Sequence, residues 1–61
     1  MEFKDNLRYL RKINKISQDE LAQKLGYKSF TTVQKWEDGS ALPRVSTLKR
    51  IADIFDVDVD H

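Results

Sequence analysis

Sixty-one residues with no cysteine make a single small domain, with neither a disulfide framework nor a thiolate metal site to brace it. A chain of this size buries only about 60% of its unfolded surface, so its core must be efficient. The net charge of +1 hides an uneven layout: residues 1–50 carry all eleven Lys and Arg against six acids, while residues 51–61 carry four acids and no base.

The first element is a helix over residues 3–14, because Phe3, Leu7 and Leu10 recur at i, i+4 and i+7. Arg8, Arg11 and Lys12 fall on its other faces. Asn14, Lys15 and Ile16 form a connection, with Ile16 tucked under the core. Ser17-Gln18-Asp19-Glu20 then has the spacing of a capping box: a serine hydroxyl for the amide three residues on, and a glutamate that reaches back. Leu21, Ala22 and Leu25 give this second, two-turn helix an apolar face, and Gly26 suits its left-handed end.

A third helix is expected from an N-cap at Ser29. Val33 and Trp36, three apart, point inward, with Phe30 expected to pack under the turn; the other option for Phe30 is exposure against a thymine methyl. Trp36 is a fold residue, whereas Tyr9 and Tyr27 belong to the surface or its rim. Gly39 ends the helix, and Leu42 is expected to anchor the loop 40–44. A fourth helix begins at Arg44 or Ser46 and repeats Leu48, Ile51, Ala52 and Phe55 at i, i+3, i+4 and i+7. Beyond it, Val57 is expected to plug the core and Asp58 to cap a fifth helix that barely begins, so the sequence reads as a piece of a longer chain.

Other signals are few. The N-terminal MEFKDNLRYL carries charges throughout and lacks the apolar run of a secretory signal, and no apolar run approaches the ~20 residues of a membrane span. A cytoplasmic chain is expected. No carboxylate pair sits in a recognisable cleft motif, metal ligands are not grouped, and the one histidine is His61; no enzyme, metal or cofactor is expected. A basic body beside an acidic end suits a surface that meets phosphate on one side only, although any solvated helix carries mixed charge.

Taken together, Leu7, Leu10, Arg11, SQDELAQKLG (17–26), Val33, KWEDG (35–39), Pro43, Leu48, Ile51-Ala52 and Val57 resemble the helix-turn-helix domain of the lambda-type Cro and repressor family, the XRE-like regulators. Amino-terminal domains of temperate-phage repressors are the most similar in pattern. The resemblance covers residues 3–61 and implies an all-α fold, a compact bundle of four to five short helices in which residues 17–39 form the helix-turn-helix. One departure stands out: between Gly26 and Val33 this chain has one residue more than the family's usual turn.

The implied function is sequence-specific binding of double-stranded DNA for transcriptional regulation, as a repressor and as a homodimer on a two-fold operator. An α-helix fits the major groove, where each base pair shows a distinct donor and acceptor pattern. Thr31, Gln34 and Lys35 are the expected base readers: a threonine methyl meets thymine, glutamine suits adenine, and lysine suits guanine. Gln18, at the N-terminus of the preceding helix, is the expected phosphate contact through its backbone and side-chain amides. Lys28, Ser29, Thr32 and Arg44 are further phosphate candidates. Each of these residue types is also ordinary on a solvated surface, and the motif around them favours the functional reading. The family further implies a structural ion pair between Arg11 and Glu37. Two alternatives share the fold: the DNA-binding half of an antitoxin, and a protein-interaction module.

Overall fold

A computed structural model describes residues 2–58. Within them the chain forms four helices in the order α1 (Phe3–Ile13), α2 (Gln18–Lys24), α3 (Thr31–Asp38) and α4 (Val45–Phe55). Helix α3 packs chiefly against α1 and α2.

The core follows from the apolar spacing. Leu7 of α1, Leu21, Ala22 and Leu25 of the α2 region, Val33 and Trp36 of α3, and Ile51 and Phe55 of α4 meet in one buried cluster. Phe3, Leu10, Ile16, Tyr27, Ala41 and Ile54 pack against it. The rings of Tyr27 and Trp36 meet in a T-shaped pair, with centroids 5.9 Å apart. Edge-to-face contact of this kind aligns the positive ring rim with the negative ring face.

Helix ends share one device. Each chain exit passes through a left-handed residue: Lys15 (φ 57°), Gly26 (φ 87°), Gly39 (φ 86°) and Asp56 (φ 54°). The next amide then returns to the carbonyl five residues back, as Ile16 to Arg11, Tyr27 to Ala22, Ser40 to Lys35 and Val57 to Ala52. These bonds satisfy carbonyls the helix leaves without partners. Glycine marked two of the four ends in the sequence; Lys15 and Asp56 gave no such sign.

At the other end of α2 the capping box forms. The Ser17 hydroxyl accepts from the Glu20 amide at 3.0 Å, and a Glu20 carboxylate oxygen accepts from the Ser17 amide at 3.2 Å.

Four expectations change. Helix α3 starts at Thr31, with Phe30 rather than Ser29 at its N-cap. Leu42, expected as an anchor, is 77% exposed, because the loop after Gly39 lifts it off the core. Phe30 is 44% exposed rather than packed under the turn. Val57 does not plug the core: it stays exposed at the edge of a groove bordered by Phe3, Leu10 and Leu48. The start of α4 resolves in favour of Arg44, which takes the N-cap position with extended backbone. The expected fifth helix falls mainly on residues 59–61, outside the described residues.

Candidate nucleic-acid interface

Residues 17–39 form two helices joined by the turn 25–30. What turns this segment into a site is the contrast between the two faces of α3. Its inner row, Val33, Trp36 and Glu37, is buried, and its outer row, Thr31, Gln34, Lys35 and Asp38, is exposed. At 3.6 residues per turn the inner row can face the core only if the outer row faces away. The expected base readers Thr31, Gln34 and Lys35 therefore share one solvent-facing surface.

The turn that launches this helix is held by its own hydroxyls. Ser29 Oγ accepts the Thr31 amide at 3.1 Å and lies 2.8 Å from Thr31 Oγ1. Short side-chain bonds of this type give the backbone a turn in place of another helical residue. The extra residue of the turn is thus absorbed before α3 begins. Lys28 and Ser29 are exposed in this turn, and Thr32 is half-buried on the opposite flank of α3 from Gln34. Arg44 stands apart from the group, exposed at the start of α4.

Orientation of α3 comes from one buried acid. Glu37, 3% exposed, is the one buried charged residue among those described. Arg11 of α1 grips it bidentately, with Nε to Oε2 at 2.7 Å and Nη2 to Oε1 at 3.0 Å. The same guanidinium donates to the Ile16 carbonyl at 3.1 Å. Arg8 donates to the Glu37 carbonyl at 3.0 Å, and its Nε lies 3.7 Å from Oε1. The fork geometry of Arg suits such a carboxylate. Burial disfavours the charged form of Glu37, but hydrogen bonds from Arg11 and Gln18, with the charges of Arg11 and Arg8, outweigh it and hold its pKa below the usual 4.5. Its hydrogen bond to Arg11 in turn raises the arginine's pKa, against the opposing effect of burial.

Gln18 belongs to this cluster. Its side-chain amide, expected to point at phosphate, donates to Glu37 Oε1 at 3.2 Å. Its backbone amide stays in the first turn of α2, where helical amides have no acceptor within the helix. The parts played by Arg8 and the Gln18 side chain escaped sequence reasoning because their partner lies 29 and 19 residues away. No local spacing reports such a contact.

Among the described residues, no group of His, Cys, Asp or Glu is placed to hold a metal ion, and no helix is long and apolar enough to cross a membrane.

Comparisons with known proteins agree with this geometry. Over all 61 residues the chain is 40% identical to the HTH-type transcriptional activator BcrR of Enterococcus faecalis, covering 29% of that protein. It is 33% identical, again over its whole length, to the cryptic phage CTXphi transcriptional repressor RstR of Vibrio cholerae serotype O1, covering 54% of it. The chain thus spans about a third to a half of the curated relatives it matches. No solved structure gives a significant match. The helix-turn-helix family model matches residues 7–61, nearly the whole chain, and the chain belongs to that XRE-type helix-turn-helix family.

Proposed function

We propose that this chain binds duplex DNA sequence-specifically to regulate transcription, with α3 in the major groove and the N-terminus of α2 against the backbone. One observation carries the reading: the buried clasp on Glu37 fixes α3 while leaving Thr31, Gln34 and Lys35 together on its solvent face. A rigid helix presenting polar side chains in one row suits base edges. In this arrangement Thr31, Gln34 and Lys35 read bases, while Lys28, Ser29, Thr32 and Arg44 meet phosphates. Gln18 contributes its backbone amide and holds Glu37 with its side chain.

Two copies on a two-fold operator, with half-sites roughly 34 Å apart, supply the specificity that one eight-residue helix lacks. The relatives are named as an activator and as a repressor. Repression is the proposal for this chain, since occupying a site suffices to block it whereas activation needs a further contact. It would act in the cytoplasm of a bacterial cell.

Fluorescence anisotropy with selected and random duplexes over a salt series tests the reading. Affinity should fall steeply with salt, as counterions released from phosphates require. A flat response, or no binding at low salt, rejects it. Gln34→Ala and Lys35→Ala should relax sequence preference, whereas Lys28→Ala should weaken all duplexes alike. Lys28 is the cleaner positioning probe, because Gln18 also serves Glu37.

A further inference from the structure

Phe30 is accounted for neither by the core nor by the polar contact set. It is 44% exposed and belongs neither to the buried cluster nor to the hydrophobics packed against it. Among residues 28–35 no other exposed residue is hydrophobic: Lys28, Ser29, Thr31, Gln34 and Lys35 are all polar. A lone ring among hydrogen-bonding groups is a poor match for a protein partner, which needs a contiguous apolar patch.

Its position on the helix is fixed. Phe30 has right-handed helical backbone (φ −76°, ψ −4°), and its carbonyl accepts the Gln34 amide at 3.0 Å. The ring therefore continues the helical screw one turn ahead of Gln34, on the same side. That places it at the leading end of α3, the end whose residues reach base edges in a helix-turn-helix complex. In the major groove the apolar group offered by a base pair is the C5 methyl of thymine.

We propose that Phe30 is a specificity residue that reads a thymine through its C5 methyl, at the base pair beside the one met by Gln34. This rests on the reading of α3 as the groove helix. Contact of ring and methyl removes both from water, which the ammonium of Lys28 and the hydroxyl of Ser29 beside it cannot do.

Deoxyuridine differs from thymidine only in that methyl, so it isolates the contact. Sites are selected from random duplexes with the 61-residue chain, and each thymine is then replaced singly by deoxyuridine. Binding is measured by anisotropy for the chain itself, for Phe30→Ala and for Phe30→Leu; circular dichroism checks that the variants keep their helix content. At one thymine per half-site the replacement should weaken the unaltered chain about fourfold, the effect of burying one methyl group. It should leave Phe30→Ala unchanged and weaken Phe30→Leu by an intermediate factor. Equal losses in all three proteins at every thymine that responds, or no loss at any thymine, overturn the proposal while the groove reading of α3 stands. If no duplex is selected at all, that reading falls and Phe30 with it.

Discussion

The two sides of α3 are held in opposite ways. Toward α1 and α2, Glu37 is buried and takes hydrogen bonds from Arg11 and Gln18, while Trp36 fills the core beside it. Toward α4, the chain leaves through Gly39 into a loop where Leu42 is 77% exposed, and α4 opens with Val45 at 67% exposed and no side-chain cap. The first side is where placement of the helix is decided; the second only returns the chain to the core. A bundle this small spends its few buried contacts on the helix that must be held still.

The sharpest way to break the comparison is at Trp36. Trp36→Ala should cost about 3–5 kcal/mol. For 61 residues the whole stability is roughly 3–9 kcal/mol, so urea titration should find this variant largely unfolded. Glu37→Ala comes next. It leaves Arg11 part-buried without its carboxylate, and a loss of about 3 kcal/mol is expected. If Glu37→Ala unfolds at the same urea concentration as the unaltered chain, the clasp has no role in holding α3.

A smaller effect follows from pH. The folded pKa of Glu37 lies below its unfolded value, so the clasp stabilises fully above pH 4.5 and is lost as pH falls through the folded value. Exposed Asp38 shifts the same way, chiefly because it accepts hydrogen bonds from Ser40. Thermal melts between pH 7 and pH 2 should therefore show a decline in acid that Glu37→Gln flattens. Smallest is Leu42→Ser, on the loose side, which should move stability by no more than about 0.5 kcal/mol. A loss as large as that of Glu37→Ala would show that the loop anchors α3 after all.

Much of the fold was legible because its signals are local. Apolar repeats at helical spacing within each helix, around Leu7, Leu21, Val33 and Ile51, located the core, and SQDE located the start of α2. The fourfold helix ending was half legible, since Gly26 and Gly39 announce a left-handed residue and Lys15 and Asp56 do not. Leu42 and Val57 misled because hydrophobicity alone does not say which way an irregular segment runs. At the candidate site, the outer row of α3 followed from where Val33 and Trp36 must point. The start of that helix did not, because the hydroxyls of Ser29 and Thr31 draw the backbone into a turn one residue longer than a simple N-cap at Ser29 implies. Gln18 shows the remaining limit: a side chain suited to phosphate is equally suited to a carboxylate, and only the packed structure brings Glu37 to it.

The clasp on Glu37 also bears on the order of events in folding. Its side-chain partners lie 19 and 26 residues away, and Arg8 reaches its carbonyl across 29, whereas every helix closes on bonds spanning six residues or fewer. Local closures form early, and the clasp must wait until three helices have converged. An interaction formed after the rate-limiting step leaves the refolding rate almost untouched and acts on the rate of unfolding. Glu37→Ala should on this account speed unfolding more than it slows refolding, and so shorten the time α3 stays in position, which stopped-flow kinetics checks.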